Sequence, residues 1–256
     1  MNSDIGLIGL GTMGGNLALN IADNGFSIAV FNRTVETTRK FYENAGRLAD
    51  RVTPCESLAE FVAKIAKPRA IILMVPAGPI VDQQIETLKP YLESGDLIID
   101  AGNANYQDTN RRAKEAEAQD YEFLGIGVSG GEEGARFGPS IMGGGKKAGW
   151  EQVEKVLTAI AADYEGTACA TWMGEGGAGH FVKMVHNGIE YADMQMIAEI
   201  YGILRDGLGL SAKECSDIFG KWNKGRLESY LIEISELVLS KNDPISGKPM
   251  VDMIVD

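Results

Sequence analysis

The sequence predicts an α/β fold in which a doubly wound parallel sheet is followed by the start of an all-α domain. Short runs rich in β-branched residues alternate with helical patterns up to about Trp172, and a glycine-rich turn follows the first run. After Gly179 only helical periodicity continues. Alternating strands and helices are typical of a parallel sheet covered by helices on both faces. We expect a first domain at residues 1–176 and a helical domain at residues 177–256.

Six strands are predicted in the first domain and three helices in the second. The strands lie near Ile5 to Leu10, Ser27 to Phe31, Ala70 to Val75, Leu97 to Asp100, Phe123 to Val128 and Ala168 to Met173. Helical periodicity continues to about Arg205, then from Ser211 to Trp222, and from Leu227 to Ser240. The chain ends on an apolar rhythm without a helix cap, so we expect more chain in the full-length protein.

Length and composition are typical of a soluble globular protein. The chain has 256 residues, of which 45% are hydrophobic and 23% are charged. A formal net charge of −12 argues against binding to nucleic acid or to an anionic membrane surface. No apolar run approaches the ~18 residues of a membrane span, and the three cysteines are too dispersed for a disulfide framework or a zinc site. We therefore expect a cytoplasmic protein without a metal.

The strongest motif lies between the first strand and the first helix. Gly9, Gly11 and Gly14 form a G-x-G-x-x-G pattern in the segment GLGTMG. Such glycines permit a tight turn and let the backbone approach a pyrophosphate at the helix N-terminus, where free N–H groups favour negative charge. The first domain is therefore predicted to be a Rossmann-like dinucleotide-binding domain. Its predicted contacts in this turn are Gly9, Leu10, Gly11, Thr12, Met13 and Gly14.

The end of the second strand indicates which dinucleotide binds. Enzymes that use NAD place an acidic residue there for the ribose 2′-hydroxyl, but this strand ends in Asn32, Arg33 and Thr34. A guanidinium and a hydroxyl suit a 2′-phosphate. Glu36, the nearest acid, falls inside the next predicted helix. We therefore predict that all three residues contact NADP.

Polar loops follow three further strands of the predicted sheet. Because ligands bind at the carboxyl ends of strands in open α/β sheets, these loops should face the cofactor. A serine followed by two glycines offers a hydroxyl and a backbone nest for a carboxylate. The loop residues expected to contact the cofactor are Val75, Pro76, Ala77 and Asn103. Those expected to contact a substrate are Asn103, Ser129, Gly130 and Gly131.

The first helix of the second domain carries a polar stripe in the segment GHFVKMVHNGIEYADMQ. Lys183, His186, Asn187 and Glu190 fall within an arc of roughly 100° on a helix. Asn187 and Gly188 are weak helix formers that together cost on the order of 1 to 2 kcal/mol in a helix interior. Local rules broken together often mark a functional site, but a solvated helix face explains the stripe equally well, so both explanations stay open at this point.

Four segments together resemble the 6-phosphogluconate dehydrogenase family: GLGTMGGNLALNIADNGFSIAVFNRT, GNANYQDTNRR, GVSGGEEGA and GHFVKMVHNGIEYADMQ. The resemblance implies oxidative decarboxylation of 6-phosphogluconate to ribulose 5-phosphate and CO2 with reduction of NADP, in the pentose phosphate pathway, by a homodimer. It implies that Lys183 is the general base and then acid, and that Glu190 protonates the enediol. The residues implied for substrate binding are Asn103, Ser129, Gly130, Gly131, His186, Asn187 and Tyr191.

The implied chemistry suits these side chains. Lys183 can accept the C3 hydroxyl proton only as a neutral amine, which desolvation in a closed cleft favours. The new ketone lies β to the carboxylate, so CO2 can leave without a metal. Glu190 is two helical turns from Lys183, roughly 10 Å along the helix, a span that lets the two groups serve different carbons of an extended sugar acid.

The chain also departs from the family pattern. Pro76 stands where the family usually has a lysine, and Gly143 where it usually has a proline. The family continues with further helices that supply a lysine and an arginine for the substrate phosphate, so we expect this chain alone to bind NADP with little or no turnover. Two alternatives remain open. One is a β-hydroxyacid dehydrogenase for a small hydroxy acid, and the other is a non-catalytic NADP-binding fragment.

Overall fold

The structure is a computed structural model that describes residues 2–253. Met1 and residues 254–256, the end of the apolar C-terminal run, lie outside the described residues. The chain divides into two compact units, Met1–Val185 and His186–Asp256, and the division falls inside one continuous helix. The first unit is a Rossmann-like α/β structure and the second is helical, so the predicted fold class is confirmed.

A central sheet of eight strands organises the first unit. Its strands are β1 (Ile5–Ile8), β2 (Ile28–Phe31), β3 (Val52–Cys55), β4 (Ala70–Leu73), β5 (Leu97–Asp100), β6 (Glu122–Ser129), β7 (Ser140–Gly145) and β10 (Ala170–Gly174). Their order is β10-β7-β6-β5-β4-β1-β2-β3. The six strands from β6 to β3 are parallel, whereas β7 pairs antiparallel with β6 and parallel with β10. A separate hairpin joins β8 (Asp163–Tyr164) to β9 (Thr167–Ala168).

Helices cover both faces of this sheet. They are α1 (Thr12–Asp23), α2 (Val35–Glu43), α3 (Leu58–Ala63), α4 (Pro79–Leu88), α5 (Tyr106–Glu117), α6 (Gly131–Phe137) and α7 (Lys147–Ile160). Alternate strand residues enter different cores: Ile72 and Ile99 pack with α1 and α7, whereas Ile71 and Ile98 pack with α3 and α4. Burial on both faces explains why these strands read as continuous apolar runs rather than alternating patterns.

Two strands of the sheet lie outside the predicted set. β3 contains Pro54. Proline is tolerated there because β3 is an edge strand, in which a missing N–H does not interrupt the hydrogen bonding between central strands. β7 lies in the segment predicted as a polar loop. A Cβ at Gly143 would lie 2.4 Å from the Trp150 ring, and one at Gly144 would lie 2.3 Å from the backbone nitrogen of Gly179. The glycines of β7 therefore reflect close packing within a strand.

The sheet order places a topological switch point between β1 and β4. The chain proceeds from β1 to β2 and β3 on one side, then returns to β4 and continues to β5 and β6 on the other. In open α/β sheets the crevice at the carboxyl ends of such strands binds ligands. The glycine-rich turn after β1 and the loop after β4 both lie at this end of the sheet.

The remainder of the described chain is helical. It contains α8 (Ala178–Gly202), a π-helical turn (Ile203–Gly207), α9 (Ala212–Trp222), α10 (Tyr230–Ser240) and a final 3-10 turn (Met250–Met253). Ser211 and Glu214 form a capping box that starts α9. Phe219 of α9 and Ile232 of α10 are central to the second unit's core. Within residues 2–253, none of the helices combines the length and the apolar character needed to cross a membrane.

Candidate functional site

The structure gives different reasons for a glycine at each of the three positions of the G-x-G-x-x-G turn. Gly9 has a φ of +103°, and a Cβ there would lie 2.3 Å from the carbonyl oxygen of Met74. A Cβ at Gly14 would lie 1.8 Å from the carbonyl oxygen of Gly9. The chain itself therefore requires both glycines. Gly11 has nothing within 4 Å of its Cβ position, so packing within the chain does not require a glycine there, whereas the close approach of a ligand would.

The start of α1 is suited to an anion. Gly11 is the N-cap residue and has no side chain to cap the helix, and the first turn contains no acidic residue. The N–H groups of a first helical turn have no partner inside the helix. Thr12 is exposed and Met13 is half-buried at this turn. The turn and the helix end can therefore hold a pyrophosphate by backbone hydrogen bonds and the helix dipole.

Asn32 connects the end of β2 to the glycine-rich turn. Its side-chain Oδ1 accepts a hydrogen bond from the backbone N–H of Leu10 at 3.1 Å. Its own backbone N–H donates to the buried hydroxyl of Thr38 at 3.1 Å. The predicted cofactor residue Asn32 thus fixes the turn on which a dinucleotide would rest.

Arg33 and Thr34 lie exposed at the carboxyl end of β2. Thr34 is the N-cap residue of α2, but its hydroxyl makes no capping hydrogen bond. Within the described chain Arg33 forms no ion pair, whereas Glu36 lies 3.7 Å from the ammonium of Lys40. A guanidinium and a hydroxyl are thus available to an external phosphate, and the nearest acid already faces a lysine.

The loop after β4 meets the glycine-rich turn and the loop after β5. A Cβ at Gly9 would lie 3.3 Å from Cγ1 of Val75, and a Cβ at Gly102 would lie 2.9 Å from the Val75 carbonyl oxygen. Pro76 and Ala77 follow Val75 and are exposed. The structure therefore brings the predicted cofactor residues of β1, β4 and β5 to one edge of the sheet.

Asn103 lies exposed just beyond β5. Its amide makes no hydrogen bond to another described residue. The Asx cap at the start of α5 is made by Asn105, whose Oδ1 accepts from the N–H of Gln107 at 2.9 Å. Because Asn105 performs the local turn role, the Asn103 amide is available for a ligand.

The Ser129, Gly130, Gly131 turn leads from β6 into α6. Gly130 has a φ of +127° and Gly131 a φ of +61°, and a Cβ at Gly130 would lie 2.9 Å from Cα of Gly134. Both glycines are thus required by the backbone. The buried amide of Asn20 on α1 donates to the carbonyl oxygen of Ala135 on α6 at 3.2 Å. This contact holds the turn's helix against the helix that begins at the glycine-rich turn.

Lys183 lies on the part of α8 that packs against β6 and β7. Its side chain is 8% exposed. A Cβ at Gly127 would lie 2.5 Å from Cβ of Lys183, and a Cβ at Gly125 would lie 2.7 Å from Nδ1 of His180. Gly125 and Gly127 therefore face α8, and Ser129 lies on the same face of β6 because residues two apart on a strand share a face. We did not predict these glycines, although their period of two was visible in LGIGVS.

The sequence analysis also did not predict a buried polar cluster next to Lys183. His180 is 1% exposed, and its Nδ1 lies 2.7 Å from the Thr109 hydroxyl. Burial lowers the pKa of His180 to about 4 and the charge of Arg112 acts in the same direction, while neighbouring backbone groups oppose the shift. Burial likewise raises the pKa of Asp100 to about 6, against the effects of the Gly102 N–H and Arg112. At neutral pH the His180 ring is therefore neutral, whereas Asp100 is still mostly ionised and becomes protonated as the pH falls through about 6.

Four other predicted residues lie in the second unit, on the continuation of α8. Nδ1 of His186 is 3.7 Å from Oε2 of Glu190 and 3.4 Å from Oδ1 of Asn187. Tyr191 is 69% exposed. His186 and Glu190 are each partly exposed, so both can reach a ligand. In the part of the chain that the structure describes, no group of three or more His, Cys, Asp or Glu side chains is arranged to hold a metal ion.

Comparisons with known proteins identify the family of this chain. Residues 4–174 match the family model described as the NAD binding domain of 6-phosphogluconate dehydrogenase. Residues 179–256 match the model for the 6-phosphogluconate dehydrogenase C-terminal domain. The two matches together account for nearly the whole sequence.

Individual relatives give the same result. A 6-phosphogluconate dehydrogenase, decarboxylating, from Chlamydia pneumoniae is 52% identical over 100% of this chain and 53% of its own length. The NADP(+)-dependent, decarboxylating enzyme of Bacillus subtilis is 52% identical over 98% of this chain and 53% of its own. The chain thus spans about half the length of these relatives.

A solved structure extends the similarity to three dimensions. The Plasmodium falciparum 6-phosphogluconate dehydrogenase, described without ligand, with its cofactor NADP+ and with its substrate 6-phosphogluconate, has a TM-score of 0.94. It is 45% identical, and the alignment covers 99% of this chain and 54% of that one. The family models, the relatives and this structural similarity together show that this chain belongs to the 6-phosphogluconate dehydrogenase family.

Proposed function

We propose that the protein containing this chain oxidatively decarboxylates 6-phosphogluconate to ribulose 5-phosphate and CO2 with reduction of NADP. The observation that carries this proposal is the placement of Lys183. A lysine that is 8% exposed lies against Gly127, two residues before Ser129 on the same face of β6. A general base is thereby placed beside a turn that can bind a carboxylate. In this proposal residues 1–176 form the cofactor domain and residues 177–256 belong to the substrate domain.

The residues of the first unit fit NADP. The open space at Gly11 and the uncapped start of α1 suit the pyrophosphate, and Arg33 with Thr34 suits the 2′-phosphate. Val75, Pro76, Ala77 and Asn103 would line the nicotinamide end. Bound NADP+ supplies the acceptor for the hydride that leaves C3 of the substrate. Because Pro76 carries no ammonium, cofactor charge recognition would rest on Arg33.

The chain's own groups would manage the protons. Lys183, when neutral, would accept the proton of the C3 hydroxyl, and its ammonium would then stabilise negative charge on the new carbonyl oxygen. Loss of CO2 from the β-keto acid would leave an enediolate, and the Lys183 ammonium would return its proton to the C3 oxygen to give the enediol. Glu190 would donate a proton to that enediol at the carbon that lost CO2, while neutral Lys183 takes back the hydroxyl proton.

Substrate binding would use groups from several elements. Ser129 and the backbone of Gly130 and Gly131 would hold the carboxylate, while Asn103 would orient the hydroxyl at C3. His186, Asn187 and Tyr191 would contact the rest of the sugar acid. We also propose a homodimer for the full-length protein, in keeping with the family. A cytoplasmic location agrees with three free cysteines, because thiols persist in a reducing compartment.

The two alternatives receive less support. A β-hydroxyacid dehydrogenase for small acids and a non-catalytic NADP-binding protein would both preserve the glycine-rich turn. The relatives that are 52% identical carry the name of the sugar-phosphate enzyme, and the family models match both parts of the chain. Activity measurements with both substrate types separate the three possibilities.

The test is made in the full-length protein and compares Lys183→Met with Lys147→Met, which removes an exposed lysine at the start of α7. NADPH formation from 6-phosphogluconate and NADP affinity are measured on the same samples. We expect Lys183→Met to lower kcat by about 10²- to 10⁴-fold with NADP affinity retained, and Lys147→Met to resemble the unmodified protein. Near-normal turnover by Lys183→Met would remove this lysine from the mechanism. Oxidation of 3-hydroxyisobutyrate in place of 6-phosphogluconate would establish the first alternative.

A further inference from the structure

The buried polar cluster beside Lys183 has no role in the proposed chemistry. It consists of Asp100, Thr109, Arg112 and His180, which come from β5, α5 and α8 and are at most 2% exposed. Among the described residues, His180 Nε2 is buried without a hydrogen-bond partner, and Asp100 Oδ2 and Arg112 Nη1 form only an ion pair with each other, at 3.5 Å. Apolar side chains would pack there without the cost of desolvating these groups. We therefore ask which neighbouring elements these buried polar groups hold in place.

His180 is fixed in direction as well as in place. Its Nδ1 lies 2.7 Å from Oγ1 of Thr109, and the same hydroxyl lies 3.2 Å from the carbonyl oxygen of Asn105. Either the hydroxyl donates to Nδ1, or Nδ1–H donates to the hydroxyl, which then donates to Asn105. In both tautomers one hydrogen bond joins α5 to α8. Because the ring also fills the space above Gly125, α8 cannot rotate about its axis at this turn without losing both contacts.

Arg112 connects the same cluster to two ligand loops. Its Nε and Nη2 bind the carboxylate of Asp82 at 2.8 and 2.9 Å, and Nη2 also donates to the Gly78 carbonyl oxygen at 2.9 Å. Nη1 lies 3.5 Å from Oδ2 of Asp100. Oδ1 of Asp100 accepts from the N–H of Gly102, the residue before Asn103. The ends of the β4 and β5 loops are thus held by groups that adjoin His180.

We propose that His180, through its hydrogen bond to Thr109, is a positioning residue that sets where Lys183 lies relative to the Gly102–Asn103 turn. Lys183 follows His180 by three residues, so both side chains lie on the same side of α8. Gly125 and Gly127 accept them two residues apart on β6. A rotation of α8 at this turn would move the ammonium of Lys183, and a shift of about 1 Å at a reacting group can cost about 10²-fold in rate. This inference rests on the proposed function.

The test removes the hydrogen bond without changing the volume. Thr109→Val deletes the hydroxyl, Thr109→Ser restores it, and Thr158→Val is the matched control. Thr158 is partly exposed on α7, and its hydroxyl likewise donates to a carbonyl oxygen four residues earlier, that of Glu154 at 2.6 Å. For each variant, kcat and KM for 6-phosphogluconate, the affinity and stoichiometry of NADP binding, and amide hydrogen exchange along residues 180–184 are measured.

We expect Thr109→Val to lower kcat by about 10- to 100-fold, while KM and NADP affinity stay within about twofold. Thr109→Ser should recover kcat to within about threefold, and Thr158→Val should leave all parameters unchanged. Equal kcat in Thr109→Val and Thr158→Val would overturn the proposal. A fall in kcat matched by the same fall in NADP stoichiometry would also overturn it, because that pattern reports lost folded protein.

Hydrogen exchange separates failure of this inference from failure of the proposed function. If the unmodified full-length protein, in which all of these variants are made, binds NADP but does not oxidise 6-phosphogluconate, the proposed function fails. The positioning role is then decided by exchange alone. Faster exchange confined to residues 180–184 in Thr109→Val supports it, and equal exchange in Thr109→Val and Thr158→Val overturns it.

Discussion

Replacing Gly11 and Gly14 one at a time by alanine separates the glycine that a ligand needs from the glycine that the fold needs. At Gly11 the φ is −69°, and no atom lies within 4 Å of the added methyl group. At Gly14 the methyl carbon would lie 1.8 Å from the carbonyl oxygen of Gly9 and 3.0 Å from its carbonyl carbon. Both contacts are with backbone, which cannot rotate away as a side chain could.

The expected energies follow from these distances. Non-bonded carbon and oxygen atoms prefer a separation of about 3.5 Å, so Gly14→Ala must displace the turn by more than about 1 Å. Overpacking typically costs about 1 to 3 kcal/mol, and we expect the upper end here. At about 2 to 4 °C per kcal/mol, Tm should fall by about 6 to 12 °C. Gly11→Ala loses only the N-cap preference of glycine over alanine, about 0.5 to 1 kcal/mol, or about 1 to 4 °C.

For NADP binding, Gly11→Ala should be the more damaging of the two variants relative to the stability that each loses. The Gly11 methyl group would stand between the start of α1 and the pyrophosphate, and would break at least one charge-assisted hydrogen bond. Such a bond contributes about 1.5 to 3 kcal/mol, so the Kd for NADP should rise about 10- to 150-fold. Thermal unfolding without ligand and calorimetry with NADP, on both variants, measure the two effects. Tight NADP binding by Gly11→Ala, or equal Tm losses in the two variants, would refute this reasoning.

Two further predictions concern charge. Arg33→Ala should weaken NADP binding by about 1.5 to 3 kcal/mol and leave NAD binding nearly unchanged, because only NADP carries the 2′-phosphate; equal losses for both in calorimetry would contradict this. Asp100→Asn should change the pH dependence of stability. The pKa of Asp100 is raised in the folded state to about 6, so its contribution to the unfolding free energy is fully present below the unfolded pKa of 3.8 and is lost as pH rises through about 6. As the pH is lowered from about 7.5 to about 4, the unfolding free energy of the unmodified protein should therefore rise by about 2 to 3 kcal/mol relative to that of Asp100→Asn. His180 titrates in both proteins, so its contribution cancels in this difference. A pH-independent difference in urea unfolding would contradict this account.

Local sequence was enough for the parts of this protein that depend on periodicity and turn chemistry. The run from β1 through Gly9, Gly11 and Gly14 into α1 predicted a dinucleotide turn, because the strand, the three glycines and the helix are adjacent in the sequence. The helix predicted from Ser211 to Trp222 is α9, whose start is fixed locally by the capping box of Ser211 and Glu214. The family followed from four such segments in order, and the comparisons confirm it.

Tertiary structure decided what depends on contacts between distant residues. β7 is a strand although it reads as a glycine-rich loop, because Gly143 must clear the Trp150 ring and Gly144 must clear α8. Likewise, the hydrogen bond between Thr109 and His180 joins residues 71 positions apart. Such contacts produce no repeating pattern in the sequence. Each requires only one small or polar residue, and the tertiary structure determines which distant residue it meets. The sequence alone could therefore indicate Lys183, but not the glycines and buried polar groups that hold it.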